Sequence, residues 1–442
     1  MLLQEAFMNT NILDFGAKSD GKTLCTKEIQ ATIDACASSG GGRVTVPAGN
    51  YVSGTIWLRS NVELYLEDNS VIRGSDDLDD YNAEDAYSQN FSSRSNEKWL
   101  GKHLVVAHEC ENVAITGGGT LDGNAEVFLG DVKPYSAYCW RDGLRTAKSD
   151  ELCRPGQLVC FIECKNVRVE NITLTNQPCW GCFLHGCEHV SVRGLRVKNH
   201  PTNCNSDGID IDCCRYVTVS DCIIDTGDDA IAIRGSAFRL SDKQKPCEHI
   251  TVTNCILGSS SSVFRIGVGD SVIRHVRISN ICMTRGAAGV TLMTSYLGHG
   301  HVSIEDVIIS NVSMANCAKP LEVLESSVER ATINDVIIEN VVAEVYAFAR
   351  MRCENENTVS NIVLKNWKVK LIDGPAPITE RDVERHGTVW FTATNVNGLR
   401  LENFAVSDEE GYLSAWRDGA FSFDGCTAEL VGVTVNGEKY SI

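Results

Sequence analysis

The chain of 442 residues lacks a long apolar segment, an excess of basic residues and the marks of a secretory signal. No window approaches about 18 uninterrupted apolar residues, which excludes a conventional transmembrane helix. The formal net charge of −18 argues against nucleic acid or an anionic membrane as a partner, because both require a basic surface. Residues 1–11 have neither the apolar core nor the cleavage site of a signal peptide, so we expect a cytoplasmic protein.

A template of apolar residues alternating around one polar residue recurs through most of the chain. The clearest copies span residues 166–174, 189–197, 216–224 and 249–257, and weaker ones follow at 301–309, 331–338, 358–364 and 397–406. Successive central residues are mostly 21 to 33 positions apart, which is typical of one coil of a β-solenoid. The central residues are Asn171, Gly194, Asp221, Asn254, His275, Asp306, Asp335, Asn361 and Asn403.

Cysteine is abundant, with 20 residues. Without an export signal we expect reduced thiols rather than disulfides. Five cysteines occupy equivalent places in successive repeats, which favours an interior ladder of small apolar side chains. The alternative, a metal or redox site, would require closely spaced pairs of the CxxC type. The five are Cys110, Cys164, Cys187, Cys214 and Cys247.

The first part of the chain predicts a cap for this solenoid. A helix is expected from about Thr26 to Ser39, with Thr26 as N-cap. Its apolar stripe would consist of Ile29, Ile33 and Cys36. We predict an N-terminal extension and then a single domain. The extension is residues 1–11 and the domain is residues 12–442, of which 12–85 form the cap and first coils and 407–442 close the solenoid.

Four segments interrupt the repeat, at residues 84–103, 122–157, 235–246 and 375–388. Long loops on a solenoid commonly build its binding face. The first two segments are rich in aromatic and charged side chains. We therefore expect Arg154, in the second of them, to contact the ligand.

Two acidic motifs precede short apolar segments about one repeat apart. Asp207 precedes GIDI (208–211), and Asp228 and Asp229 precede AIAI (230–233). Each motif alone is typical of a turn, where Asp and Gly are common. If each repeat is one coil, however, the two motifs lie side by side at the ~4.8 Å spacing of paired strands. Gathered carboxylates cost stability, whereas an enzyme that needs one carboxylic acid and one carboxylate would use them.

Six segments carry a family resemblance. They are DFGAKSDGK (14–22), GGGRVTVPAGNY (40–51), RPGQLVCF (154–161), PCWGCFLHGCEHV (178–190), NSDGIDIDCC (205–214) and TGDDAIAIRG (226–235). In this order they resemble the polygalacturonase-type, or family 28, glycoside hydrolases over about residues 12–340. The resemblance implies an all-β chain folded as a right-handed parallel β-helix of roughly ten coils, with the helix at its N-terminal end.

The same resemblance implies roles for the three carboxylates. Asp228 would be the general acid that protonates the departing glycosidic oxygen. Asp207 and Asp229 would hold and deprotonate the attacking water. Hydrolysis would then invert the anomeric centre without a metal or other cofactor.

Two motifs of that family are replaced in this chain. Where the family usually has Gly-His-Gly, residues 261–269 are SSVFRIGVG, so Ser262 stands in place of the histidine. Where the family usually has Arg-Ile-Lys to bind the galacturonate carboxylate, Thr291 and Met293 occupy the charged positions. The acidic residues are thus kept, while the usual carboxylate-binding residues are not.

Two arginines are candidates for binding a substrate carboxylate instead. Arg234 stands at the position of a common family lysine, and Arg265 follows on the coil after Asp228 and Asp229. A guanidinium can bind a carboxylate bidentately, which makes either residue suitable. The alternative for Arg265 is that it pairs with the acidic cluster and keeps it ionised.

Trp180 and His185 belong to the coil before Asp207. A sugar stacking on Trp180 and a hydrogen bond from His185 would fit a binding role, but a tryptophan in an apolar coil is equally typical of a core. The sequence HGH at 299–301 raises the hypothesis of a metal site. We disfavour it because no carboxylate of matching spacing lies nearby, and we expect no metal.

The sequence therefore predicts an inverting glycoside hydrolase that acts on pectin-derived or related acidic oligosaccharides, from a chain end. An oligosaccharide is the expected partner, and the oligomeric state stays open. One alternative is a uronic-acid lyase or epimerase on the same fold, with Arg265 as base or charge neutraliser beside a calcium ion. A second alternative is a carbohydrate-binding solenoid without activity, although the retained carboxylates argue against it.

Overall fold

The computed structural model describes two compact units of the chain. Unit one comprises the described residues within 1–134, 146–210 and 214–227, and unit two those within 211–213 and 228–442. The single domain expected over residues 12–442 stays a prediction. None of the described helices is long and apolar enough to cross a membrane. The described residues are 8–83, 86, 101–129, 154–203, 205–296, 300–326, 331–356, 358–374, 389–408, 410–412 and 419–441.

The described residues form mainly strands, with α1 (Thr26–Ser38) and α2 (Ala125–Leu129) as α-helices. The first strands are β1 (Met8–Asn11), β2 (Asp20–Leu24), β3 (Gly42–Val46), β4 (Gly49–Ser53), β5 (Ile56–Trp57), β6 (Val62–Leu66), β7 (Ser70–Gly74), β8 (Val105–His108), β9 (Glu111–Gly117), β10 (Thr120–Asp122), β11 (Val159–Ile162), β12 (Lys165–Glu170), β13 (Thr173–Thr175), β14 (Cys182–His185), β15 (Glu188–Arg193), β16 (Arg196–Lys198), β17 (Ile209–Asp212), β18 (Arg215–Ser220) and β19 (Ile223–Thr226). The strands that follow are β20 (Ile231–Gly235), β21 (Cys247–Ser259), β22 (Ser262–Gly269), β23 (Val272–Met293), β24 (Ser303–Glu325), β25 (Ile333–Val345), β26 (Ala349–Cys353), β27 (Val359–Leu371), β28 (Phe391–Thr394), β29 (Val396–Ser407), β30 (Phe421–Asp424), β31 (Thr427–Val431), β32 (Thr434–Val435) and β33 (Glu438–Lys439).

Strands in unit one stack in parallel columns, so that each coil repeats the path of the one before. In one column β9, β12, β15 and β18 pair in register, with Val167 opposite Val190 and Val190 opposite Val217. These valines are at most 2 % exposed. The residue that follows each valine on its strand, such as Arg168 or Ser191, is more exposed. Alternation along each strand, repeated coil after coil, thus builds the apolar interior.

Unit two has longer strands that bend through the corners of the coil. β23 and β24 pair over most of their length, and β24 pairs in turn with β25 and β26. The strand pairs named above are all parallel, whereas β32 and β33 pair antiparallel. This stacking of successive coils is the β-solenoid expected from the repeat, in the parallel β-helix form that the family resemblance implies.

An asparagine ladder marks one corner of unit two. Its members adopt left-handed backbone conformations, with φ between 51° and 56°. Asparagine tolerates this conformation better than most residues, because its short side chain bonds locally. Each side-chain amide donates to the side-chain oxygen of the preceding member at 2.9 to 3.3 Å. The ladder consists of Asn254, Asn280, Asn311, Asn340, Asn366 and Asn403.

The central residues assigned from the sequence belong to two different corners. Asn254 lies in the asparagine ladder, whereas His275, Asp306, Asp335 and Asn361 occupy a corner five residues earlier in their coils. Both corners place a left-handed residue beside an apolar strand. Because the same chemistry occurs twice per coil, the repeat assigned from the sequence is shifted by five residues from His275 to Asn361 and returns to the ladder at Asn403.

Helix α1 occupies the N-terminal part of unit one as predicted, and it packs against β1, β3, β5 and β6. Its buried stripe includes Ile29, Ile33 and Cys36. The predicted N-cap is wrong by one residue. Cys25 is the N-cap and makes no side-chain cap bond, while the Thr26 hydroxyl accepts from the Gly54 amide at 2.7 Å.

The cysteine column is buried, as predicted, and none of its five cysteines forms a disulfide. The Cys110 amide donates to the Cys164 sulfur at 3.4 Å, and the Cys187 amide donates to the Cys214 sulfur at 3.3 Å. Burial raises the pKa of the Cys187 thiol well above its usual value. These contacts agree with an interior ladder of small side chains.

Several predicted segments fall outside the described residues. Most of the loops at 84–103 and 122–157 does so, as does nearly all of the loop at 375–388. The HGH segment at 299–301 is described only from Gly300. Of the predicted N-terminal extension, residues 8–11 form β1, which pairs with β3.

The ladder can be tested at Asn311, which has φ 56° and bonds to two neighbours. Asn311→Ala should lower the free energy of unfolding by at least about 2 kcal/mol, because alanine resists the left-handed region and the ladder bonds are lost. Asn311→Gly loses the same bonds without the strain, so its loss should be about 1 kcal/mol smaller. Denaturant unfolding followed by circular dichroism measures both variants. Equal stabilities of the alanine variant and the parent would contradict this role.

Candidate active site

Asp207 lies in the turn that leads into β17, and backbone hydrogen bonds fix this turn. The Asp207 carbonyl oxygen accepts from the Gly181 amide at 2.8 Å, and the Gly208 carbonyl accepts from the Cys182 amide at 3.0 Å. Asp207 is only 2 % exposed. Its backbone is therefore held in line with the preceding coil, at the edge where β14 begins.

The Ser206 hydroxyl connects this turn to the second acidic motif. It donates to the Asn203 carbonyl at 2.7 Å and accepts from the Gly227 amide at 3.1 Å. Ser206 precedes Asp207, and Gly227 precedes Asp228, so the bond joins the residues next to two carboxylates. A Cβ atom at position 227 would lie 2.2 Å from the Asn203 carbonyl oxygen, which explains why glycine is needed there.

Arg154 is fully buried beside this turn. Its guanidinium donates to the Pro178 carbonyl at 2.5 Å and to the Asn205 side-chain oxygen at 2.8 Å. Asn205 has φ 51° and lies two residues before Asp207. Arg154 thus supports the Asp207 turn through protein contacts, and its direct contact with substrate stays a prediction.

Trp180 and His185 both contact the Phe183 ring. Trp180 meets Phe183 edge-on at a centroid distance of 5.3 Å, and His185 stacks on it at 5.2 Å. Trp180 also belongs to an apolar cluster that includes Val106 and Cys160. Both residues are less than 10 % exposed, so the structure favours the core interpretation. Their contact with a sugar stays a prediction.

Asp228 and Asp229 precede β20, and unit two gives them different surroundings. Asp229 is buried, accepts from the Ser262 amide at 3.0 Å and forms an ion pair with the Arg265 guanidinium. Asp228 is half-buried, and its carbonyl oxygen accepts from the Ser259 hydroxyl at 2.7 Å. Two adjacent carboxylates are therefore distinguished: one is fixed by a cation and an amide, and the other is more open to solvent.

Arg234 lies at the opposite end of β20 from the acidic pair. Its Nε atom is 3.7 Å from the Asp212 carboxylate, which also accepts from the Ser236 amide at 2.6 Å. A second carboxylate, Asp270, accepts from the Ala237 amide at 2.8 Å. Asp212 and Asp270 thus anchor the start of the predicted loop at 235–246, a role that the sequence did not indicate. Contact between Arg234 and substrate stays a prediction.

One group within unit one has the composition of a metal site. His108, Glu109 and Glu163 each offer a ligand atom, and these atoms lie within 4.8 Å of one another. His108 and Glu109 are exposed, and Glu163 is half-buried. Exposed acidic groups are common without a metal, so this group alone assigns no ion.

The family model described as Glycosyl hydrolases family 28 matches residues 36–384, which is more than half of the chain. The chain belongs to family 28 of the glycosyl hydrolases. The family predicted from the sequence is thereby confirmed.

Relatives in family 28 are similar at low identity. "Probable polygalacturonase" of Vitis vinifera is 25 % identical over 69 % of this chain and 60 % of its own length. "Exo-poly-alpha-D-galacturonosidase" of Dickeya chrysanthemi is 26 % identical over 88 % of this chain and 67 % of its own length. The chain thus spans about 60 % of the length of the first of these relatives and 67 % of the second. Proteins named as endo-acting are also among the relatives.

The solved family 28 exopolygalacturonase of Yersinia enterocolitica has the same fold. It superposes with a TM-score of 0.68 at 20 % identity, covering 98 % of this chain and 79 % of the other. The likeness confirms the predicted fold class, a right-handed parallel β-helix with an N-terminal helix.

The replaced family 28 motifs adjoin the acidic pair in unit two. Ser262, in place of the family histidine, shares a hydrogen bond of 2.9 Å between its hydroxyl and that of Thr291. Thr291, in place of the family arginine, pairs in register with Arg265. The cation therefore stands one strand away from its usual place in the family and is bound to Asp229.

Arg265→Ala tests whether this cation supports the carboxylate or binds substrate. The ion pair with Asp229 leads us to expect a loss of kcat/KM of at least about tenfold, the scale of one charge-assisted bond. The loss should be similar for an acidic oligosaccharide and its carboxyl-reduced, neutral analogue, because Asp229 serves both. Steady-state kinetics on the two substrates measures it.

Arg277→Ala is a matched control, because Arg277 is an exposed arginine that pairs with Asp306 at 2.8 Å. A loss confined to the acidic substrate would instead make Arg265 a substrate-binding residue. Unchanged kinetics for Arg265→Ala would contradict both roles.

Proposed function

We propose that this family 28 protein hydrolyses galacturonic-acid-containing, pectin-derived oligosaccharides with inversion, releasing sugar from a chain end. The observation that carries the proposal is the contrast between Asp228 and Asp229. A hydrolase of this type needs one carboxyl group that can give a proton to the leaving oxygen and another that can accept a proton from water. The half-buried Asp228 and the buried, ion-paired Asp229 suit these two tasks.

The proposed reaction uses three carboxyl groups. Asp228 donates its proton to the glycosidic oxygen while the bond from that oxygen to the anomeric carbon breaks. Asp207 and Asp229 hold the water on the opposite face of the sugar, and one of them accepts its proton as the new bond to carbon forms. The proton is then returned to Asp228 through solvent, so protons balance over the cycle.

Arg265 has a supporting part in this scheme. A buried carboxylate without a partner is strongly disfavoured, and the guanidinium compensates the charge that Asp229 carries as a base. The Ser262 amide fixes the same carboxylate through its second oxygen. This arrangement uses a permanent cation on the strand where the family usually has a histidine, three residues after Ser262.

Two observations support an acidic substrate and action at a chain end. The Dickeya chrysanthemi relative is named as an exo-acting poly-alpha-D-galacturonosidase, and the Yersinia enterocolitica structure is an exopolygalacturonase. We propose oligosaccharides rather than polymer as substrates because a polymer would not reach the cytoplasm. The cytoplasmic location itself stays a prediction.

The proposal is tested with defined galacturonides, rhamnogalacturonan fragments and carboxyl-reduced galacturonides, using reducing-end detection. The parent protein should release monosaccharide from galacturonides in the presence of EDTA. Asp228→Asn should lower kcat by at least about 10²-fold, the scale of a lost general acid, while circular dichroism stays unchanged.

Asp225→Asn serves as the control, because this exposed carboxylate lies three residues away on β19 and should leave kcat within about twofold. Near-normal turnover by Asp228→Asn would contradict the assignment of the acid. Unsaturated uronides that absorb ultraviolet light, or activity abolished by EDTA, would favour the lyase alternative. Absence of turnover on every sugar by the parent would favour a binding protein.

A further inference from the structure

Unit two contains a cluster of two cations and one carboxylate, formed by the buried Lys319 and Glu322 and the half-buried Arg350. The Lys319 ammonium is 2.6 Å from one Glu322 oxygen, and the Arg350 guanidinium contacts the other through Nε at 2.8 Å and Nη2 at 2.6 Å. The Phe348 ring lies 5.8 Å from the Lys319 nitrogen and 5.3 Å from the Arg350 guanidinium carbon. These distances are within the range of cation–π attraction, so the ring helps to orient both cations.

Strand register connects this cluster to Arg265. Arg265 pairs with Thr291, Thr291 with Glu322, and Glu322 with Arg350. At the ~4.8 Å spacing of paired strands, Glu322 and Arg350 lie roughly 10 and 14 Å along the column from Arg265. In the same way Ser262 pairs with Ala288, and Ala288 with Lys319. The cluster therefore continues the two columns that hold the partners of Asp229.

Two members of the cluster, Glu322 and Arg350, lie on the outward side of these strands. Leu321 and Val323, which flank Glu322, are at most 1 % exposed and fill the interior. Ala349 and Met351, which flank Arg350, are equally buried. Because side chains alternate along a strand, Glu322 and Arg350 point to the same side as Thr291 and Arg265.

The two cations favour the ionised form of Glu322. Burial disfavours the charged form of Glu322, but the charges of Lys319 and Arg350 outweigh burial and lower its pKa to about 2. A buried ion cluster of this kind is seldom retained for stability, since apolar residues of similar volume are often as stabilising. Within the described residues, Lys319 uses one of its three donors, on Glu322.

We propose that Lys319 and Arg350 form a subsite that binds the carboxylate of a uronic-acid residue two or three strands away from the cleaved bond. This inference rests on the proposed function. It explains how an acidic chain could be bound although the family Arg-Ile-Lys residues are replaced. Glu322 holds the two cations in place, and the carboxylate of the sugar adds hydrogen bonds from the ammonium and the guanidinium. The substrate carboxylate would then be bound one or two strands further along the column than Thr291 and Met293.

The test is the binding of uronides of two lengths by calorimetry, with Asp228→Asn as the background so that nothing is cleaved. Lys319→Met and Arg350→Gln are each added singly, which leaves one cation for Glu322 in either case. For tetragalacturonide, each variant should raise Kd at least about tenfold, the scale of one lost charge-assisted bond. For digalacturonide, which does not reach the cluster, and for the carboxyl-reduced tetrasaccharide, Kd should change less than about twofold.

Lys365→Met is the matched control, because Lys365 is more exposed and pairs with Glu402 at 3.2 Å in the same unit. Equal losses for the charged and the reduced tetrasaccharide, equal losses for both lengths, or no loss in either variant would overturn the subsite while leaving the proposed function standing. A parent background that binds no galacturonide at all would overturn both. Thermal unfolding shows whether each variant is folded. If one variant has lost its fold, the binding data of the other variant test the subsite.

Discussion

Left-handed backbone at the corners of the coil is the constraint on which the rest of the structure depends. A strand can pair with the same strand of the next coil only if every coil turns by the same path. In unit two the asparagine ladder secures this path, because each member accepts a conformation that most residues resist and bonds to the member before it. Residue-by-residue register over long strands such as β23 and β24 is the consequence.

Register in turn decides which side chains can work together. Asp229 in the turn before β20, Ser262 and Arg265 on β22, and Thr291 on β23 form one network of an ion pair and hydrogen bonds. The inward residues of the same strands are apolar and fully buried, so the interior holds the outward residues rigidly. Substitutions along a column can therefore rearrange such a polar network. Here the cation is Arg265, one strand before Thr291, which stands in place of the family arginine.

Much of this could be predicted from the sequence, for reasons that are local. The helix over Thr26–Ser38 follows from its apolar stripe, and the buried cysteine column follows from the repeat. The two acidic motifs stand out because Asp and Gly recur at the same place in successive coils. The assigned repeat shifts to the other corner of the coil between Asn254 and Asp306. Both corners have a left-handed residue beside an apolar strand, so the sequence alone does not distinguish them.

Other features depend on loop lengths that no local pattern reveals. Glu322 meets Arg350 only because the intervening chain brings β24 and β26 into register. The supporting roles of Arg154 and Ser206 likewise depend on hydrogen bonds to distant backbone atoms. The fold class and the acidic residues were therefore accessible from the sequence, whereas the partners that hold those residues required coordinates.

The central claim is that the three carboxyl groups catalyse hydrolysis with inversion. The anomeric configuration of the first product tests it most directly, because this configuration depends on how the carboxyl groups act. Time-resolved proton NMR of an α-linked galacturonide with the parent protein should show the β-anomer of the released sugar first, before mutarotation, as expected for direct attack by water on the opposite face. Release of the α-anomer first would indicate a covalent intermediate and would contradict the inverting roles given to Asp207, Asp228 and Asp229.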